Sequence, residues 1–125
     1  MKEKKKQQEH QESLVEIQEN ILVIHVSQEL DHHIANRIRE AADACIIQNK
    51  IRNIIFDFTG TVFMDSSGIG VIMGRYKLIR DYGGKIVVLH PGRNIQKILL
   101  YSGLNKITKQ FEKAEEAIAY LREEC

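Results

Sequence analysis

The sequence predicts an α/β fold: one domain with a mixed, mostly parallel central sheet and four helices. Three observations predict it. Segments of strand period alternate along the chain with segments of helical period. Two runs, Ile54-Ile55-Phe56-Asp57-Phe58 and Ile86-Val87-Val88-Leu89, are too continuously apolar for half-exposed strands and suit strands covered on both faces. Gly60, Gly83-Gly84, Pro91-Gly92 and Gly103 punctuate the junctions.

The elements follow in order. Leu14 and Ile17, then Ile21, Val23 and Val26, are two short alternating segments separated by Gln18-Glu19-Asn20, which reads as a hairpin. From Leu30 the period changes. Ile34, Ile38, Ala41, Ala42, Cys45 and Ile46 recur at helical spacing, with Asp31 placed to cap the helix. After the first buried strand, a turn at Gly60 leads to Phe63-Met64-Asp65-Ser66-Ser67-Gly68. A helix then runs to about Tyr82 and is stopped by Gly83-Gly84. The second buried strand is followed by a short helix through Ile95, Ile98 and Leu99, closed by Gly103. A last strand over 107–111 precedes an amphipathic helix marked by Ala114, Ala117, Ile118 and Leu121. Helices between strands require crossovers, so the later strands run parallel. Right-handed crossovers set them side by side as a coil of β-α turns.

The 125 residues suffice for one core, and 43% hydrophobic content needs no staples. The 18 basic and 17 acidic side chains leave +1, without the basic excess of a nucleic-acid-binding domain. Residues 1–12 are charged and Gln-rich and are expected to form a disordered tail, with the domain spanning 13–125. Lys4-Lys5-Lys6 is diluted by acids and reads as solvated. Cys45 and Cys125 lack metal-ligand spacing; Cys45 reads as a small core thiol. With neither a leader peptide nor a membrane-spanning run, a cytoplasmic protein is expected.

The chemistry-bearing candidate is Met64-Asp65-Ser66-Ser67-Gly68-Ile69-Gly70, where a strand hands over to a helix whose free N–H groups and dipole favour negative charge. The residues alone leave three readings open. Asp65 and Ser66 are common helix caps. A serine in the first turn followed by Gly68 presents its hydroxyl to a partner. An active-site serine needs a histidine nearby, and only His90 is placed to approach, in a stretch that is not G-x-S-x-G. His32 and His33 diverge by about 100° on a helix and read as surface residues rather than metal ligands. No phosphate-cradling G-x-x-x-x-G-K-[ST] loop occurs, and no cofactor is called for. On the helix after Ser67, Ile69, Ile72, Met73, Tyr76 and Ile79 form the expected core stripe, with Gly70 and Gly74 allowing close approach to the sheet. Val71, Arg75, Leu78 and Tyr82 lie roughly opposite, as a candidate docking patch.

Glu29-Leu30-Asp31-His32-His33, Phe63-Met64-Asp65-Ser66-Ser67-Gly68-Ile69-Gly70 and Met73-Gly74-Arg75-Tyr76-Lys77 resemble the sporulation anti-sigma factor antagonists of endospore-forming bacteria, members of the STAS family (sulfate transporter and anti-sigma factor antagonist). The likeness covers roughly residues 14–121. It implies a STAS-type domain that is a regulatory binding protein and not an enzyme. The resemblance further implies that Ser67 is phosphorylated by the anti-sigma factor, a serine kinase using ATP. Asp65, Ser66 and Gly68 surround that serine, and a PP2C-type phosphatase resets the switch. The unphosphorylated form binds the anti-sigma factor and frees the sigma factor, with Asp31 meeting a basic side chain of the partner. Glu29, His32, Val71 and Arg75 complete the expected partner surface. A monomer when free, without direct nucleic-acid or membrane contact, is expected. The family commonly has glycine where Gln28 stands, so a loop relying on positive φ would have to change. The alternatives within the fold are a module of a general stress-response complex and a domain of an anion transporter. A small serine hydrolase is the alternative from another class.

Overall fold

The computed structural model describes residues 14–122; the expected tail over 1–12, Cys125 and the domain's terminal residues lie outside the described residues. Five strands form the main sheet: β1 (Val15–Gln18), β2 (Ile21–His25), β4 (Asn53–Asp57), β6 (Ile86–Leu89) and β7 (Thr108–Phe111), in the order β1-β2-β4-β6-β7. The β1–β2 pair is antiparallel and every other pair is parallel. Glu19 and Asn20, at φ 54° and 67°, make the two-residue turn of the hairpin; its left-handed pair suits the twist of the flanking strands. Four helices follow the predicted order: α1 (His32–Asn49), α2 (Ser66–Ile79), α3 (Arg93–Ser102) and α4 (Ala114–Arg122).

Both faces of the sheet are covered. Leu22, Ile24, Ile54, Phe56, Ile86 and Val88 join the larger core with residues of α1, α2 and α3. Ile21, Val23, Ile55, Val87 and Leu89 face Ala117 and Leu121 of α4. This explains why β4 and β6 read as apolar runs: alternate residues enter different cores. It also corrects the alternating reading of β2, whose Leu22 and Ile24 enter one core and Ile21 and Val23 the other. Truncating a fully buried side chain such as Ile72 to alanine costs about 2–5 kcal/mol.

Two features differ from the sequence expectation. Glu29–Leu30 (β3) and Phe63–Met64 (β5) form a second, two-stranded parallel ladder just ahead of α1 and α2. Two-residue strands are too short to carry a period. The α-helix after Ser67 also ends at Ile79, and Arg80–Tyr82 continues as a 3-10 turn before Gly83 at φ 77°.

The packing of α2 corrects the expected faces. Val71 and Arg75 are 2% and 6% exposed and are unavailable to a partner, whereas Leu78 and Tyr82 are open, at 44% and 66%. The reason is that α1 packs alongside α2. Val71 enters the larger core, and Arg75 Nε lies 3.0 Å from Asp43 Oδ1 of α1. The close approach assigned to Gly70 and Gly74 belongs instead to Gly68. A Cβ at either of the former meets nothing within 4 Å, but at Gly68 it would collide with Met64 and lie 2.9 Å from Leu30 Cδ2.

Candidate functional site

The parallel strands carry the N-termini of α1 and α2 to one end of the sheet, where α/β folds place their sites. Two carboxylates cap those termini. Asp31 Oδ1 accepts from the Ile34 N–H at 3.1 Å, and Asp65 Oδ1 accepts from the Ser67 N–H at 2.8 Å. The β3–β5 ladder sets the caps side by side. Leu30 pairs with Met64, the residues immediately before Asp31 and Asp65, and the Asp65 N–H donates to the Leu30 carbonyl at 3.2 Å.

The loops entering the ladder are fastened too. The Val62 N–H donates to the Gln28 carbonyl at 2.8 Å, and the buried Thr61 hydroxyl donates to the Ser27 carbonyl at 2.8 Å. Asn94 Nδ2, from the start of α3, donates to the Val62 carbonyl at 3.0 Å. Gln28 is not among the residues of positive φ, so this loop does not need the freedom of glycine.

Ser66 is exposed and Ser67 half-buried in the first turn of α2. On exposure alone Ser66 is the more open of the two. Among the described residues Ser67 Oγ has no hydrogen-bond partner, so its lone pairs and proton are uncommitted. Glu29 is exposed on β3, and His32 and His33 are exposed at the start of α1 with ring centroids 4.1 Å apart. The Asp31 carboxyl is held below the usual range by the Ile34 amide, despite some loss of hydration, with His33 and His32 adding to the effect. Glu29, Asp31 and Asp65 thus make an acidic rim around the two serines. Val62 and Phe63 add exposed apolar surface, at 54% and 45%.

The arrangement brings together Glu29, Asp31, His32, Asp65, Ser66, Ser67 and Gly68, and leaves out Val71 and Arg75. The sequence does not single out Val62, and it shows Phe63 only as part of the run into the serine helix, because apolar residues before a helix look like core. His90, at φ 53°, turns its Nδ1 to Glu112 Oε1 at 3.6 Å. No imidazole is hydrogen-bonded to Ser67 among the described residues, and an activated serine needs one. Among those residues no group of three His, Cys, Asp or Glu could hold a metal ion, and no helix is long and apolar enough to cross a membrane.

Comparison with known proteins gives this geometry a family. The family model described as the STAS domain matches residues 12–117. An anti-sigma F factor antagonist of Paenibacillus polymyxa is 37% identical over 101 residues, covering 81% of this chain and 86% of that protein. The structure of the anti-sigma factor antagonist SpoIIAA in its unphosphorylated form superposes with a TM-score of 0.73 at 29% identity, covering 88% of this chain and 97% of that one. The phosphorylated form of the Bacillus cell fate determinant SpoIIAA gives 0.71 at 33% identity, covering 86% and 97%. The chain belongs to the STAS-domain family and, within it, to the anti-sigma factor antagonists.

Proposed function

We propose that this antagonist acts in the cytoplasm as a phosphorylation-controlled switch centred on Ser67. In its unphosphorylated form it binds an anti-sigma factor that is also a serine kinase, so that the sigma factor is freed. The observation that carries the reading is the β3–β5 register, which sets Asp31 beside the Ser66-Ser67 turn on one acidic, open rim. A basic partner surface fits that rim. In the transfer step the Ser67 Oγ–P bond forms as the bond from the γ-phosphate to ADP breaks, and the hydroxyl proton leaves to a base of the kinase. A PP2C-type phosphatase reverses it by hydrolysis. The likeness to SpoIIAA in both its forms supports a switch that leaves the fold in place, and the 37% identity to an anti-sigma F factor antagonist favours a sporulation role over a stress-response one.

Charge alone suffices for switching off. To accept phosphate, Ser67 must sit against the nucleotide phosphates of the docked kinase. A phosphoryl group there adds about −1.5 to −2 charges. Two unit charges about 5 Å apart at an effective dielectric near 20 repel by roughly 3 kcal/mol. About 2.7 kcal/mol is already a hundredfold loss of affinity.

The test is incubation with the kinase and ATP, with the phosphate mapped by mass spectrometry. Ser67→Ala should take no phosphate yet still bind; Ser67→Asp should bind poorly; Ser66→Ala should still be phosphorylated. Efficient transfer to the Ser67→Ala protein, or tight binding of the phosphorylated form, would overturn the assignment.

A further inference from the structure

The apolar patch expected on α2 divides in two. Its first half is buried against α1, and its second half, Leu78 and Tyr82, reaches the opposite end of the molecule from Ser67. Eleven residues of helix at about 1.5 Å each put Leu78 roughly 16 Å along the axis from Ser67. There Leu78 and Tyr82 form one wall of a groove of about 440 Å³, and Ile46 and Ile47 of α1 form the other. Three of these side chains are large and open to solvent: Ile47 at 77%, Tyr82 at 66% and Leu78 at 44%. Ile51 is the buried residue beneath them.

The charge around the groove has one sign. Lys50 and Arg52 stand at its rim, and among the described residues neither forms an ion pair. Arg52 is held over the Tyr82 ring, its guanidinium carbon 5.9 Å from the centroid. The acidic residue in the lining, Asp43, has its charge met by Arg75. The rim therefore presents two uncompensated cations beside an apolar trough. Of this chain's own surfaces, the acidic rim of Glu29, Asp31 and Asp65 has the matching charge, but it is a ladder-and-turn edge rather than a helix face, and the others carry the wrong sign. Residues 1–13 carry Lys2, Lys4, Lys5 and Lys6 against Glu3, Glu9 and Glu12, a net positive segment. The exposed Leu100-Tyr101 knob of α3 has Arg93, Lys97 and Lys106 for its charged neighbours in sequence, so a second copy would bring cations to cations.

We propose that this groove docks an acidic amphipathic helix of a partner protein. Ile46 and Ile47 lie in the last turn of α1 and Leu78 in the last turn of α2, so two neighbouring helix ends wall an apolar trough of the kind that receives the apolar face of a third helix. The helix lays its apolar stripe on Ile46, Ile47, Leu78 and Tyr82, while its carboxylates meet Lys50 and Arg52. A tyrosine stacked with an arginine at the rim is the composition that carries interface energy. The groove lies away from the phosphoryl-accepting turn, so docking is independent of the state of Ser67 and does not rest on the switch proposed above.

The test uses a fluorescein-labelled helical 18-residue peptide with leucine along one face and glutamate on the flanks, beside the same peptide with lysine for glutamate. Anisotropy should show saturable binding of the glutamate peptide at least tenfold tighter than the lysine peptide. Amide shifts should centre on Ile46, Ile47, Leu78 and Tyr82. Joint Lys50→Glu and Arg52→Glu changes should reverse the preference. Leu78→Asp and Ile47→Asp, both at exposed positions, should each weaken binding tenfold or more. Ser67→Asp should bind the peptide as the parent does. The proposal fails if neither peptide saturates, if both bind alike, or if the shifts fall on residues 62–67. It fails equally if Ile47 and Tyr82 are covered by concentration-dependent self-association, or if decanoate but not the peptide saturates the groove.

Discussion

Arg75 and Asp43 form an ion pair between α2 and α1, Nε to Oδ1 at 3.0 Å, with Arg75 almost wholly buried and the Asp43 side chain about a third exposed (34%). Burial pulls the guanidinium's pKa down, opposed by the Asp43 charge and reinforced by Arg39. Among the described residues its Nη1 has no hydrogen-bond acceptor, and the Nε contact is close without hydrogen-bond alignment.

Removing the two partners should therefore have unequal costs. Asp43→Ala leaves a guanidinium buried without its counter-charge and should destabilise the fold by about 3 kcal/mol. Arg75→Met leaves a carboxylate that can still reach water and should cost about 1 kcal/mol or less. Combining Asp43→Ala with Arg75→Met should recover most of the first loss. Urea unfolding of the three variants measures this; equal single losses that simply add would contradict it.

His25 makes stability pH-dependent in a stated direction. Burial by itself lowers its pKa, but hydrogen bonds with Glu16 and Asp57 and the charges of both carboxylates outweigh that, and the net shift is upward from 6.5. The protonated ring is thus favoured in the folded state. Its contribution is complete below the unfolded pKa and is lost as pH rises through the folded pKa. The urea midpoint of the parent should fall as pH rises above about 6.5. In His25→Gln that slope should flatten. An unchanged slope would place the titrating group elsewhere.

Asp57, beside it, works in the opposite direction. Burial raises its pKa, but Thr59, through its hydroxyl and amide, and His25 lower it overall. Its contribution is present above the unfolded value of 3.8 and is lost as pH falls through the lower folded value. Asp57→Asn should remove part of the acid-limb loss in stability, as seen by circular dichroism on acid titration.

The glycines of α2 should separate by position. Gly74→Ala meets open space in a helix interior and should stabilise by about 0.5–1 kcal/mol. Gly68→Ala forces Met64 and Leu30 apart and should destabilise by about 1–2 kcal/mol even after the gain in helix propensity. Thermal melts of both variants decide it, and two stabilised proteins would mean that Met64 yields easily.

Asp31 should divide cap from charge. Asp31→Asn keeps an acceptor for the Ile34 amide and should fold normally while weakening the anti-sigma factor complex severalfold. Asp31→Lys should weaken it by roughly tenfold or more, mainly through charge reversal. Normal binding by a folded Lys variant would remove Asp31 from the docking surface.

Most of the architecture was legible because local chemistry and tertiary role agree. Glu19-Asn20 turns, Asp31 and Asp65 cap, and the runs at Ile54 and Ile86 are apolar because both sheet faces are covered. The misassigned faces of α2 have one physical source. A helical period identifies a face, but not how many neighbours the helix has. Because α2 touches both the sheet and α1, Val71 and Arg75 on its second face are interior, and an arginine becomes a core residue through an aspartate on another helix. The serine turn was visible as a helix start. Its union with Asp31 was not, because the ladder that joins them is two residues long.

That ladder has a bearing on how such a domain can change over time. The five-stranded sheet owes nothing to the pairing of Leu30 with Met64, whereas the spacing of Asp31 from the serines depends on it directly. One residue inserted between Leu30 and Asp31 shifts a cap past its neighbour and leaves the main sheet untouched. Short insertions and deletions there would thus retire the proposed switch while sparing the scaffold, freeing the same body for other regulatory uses.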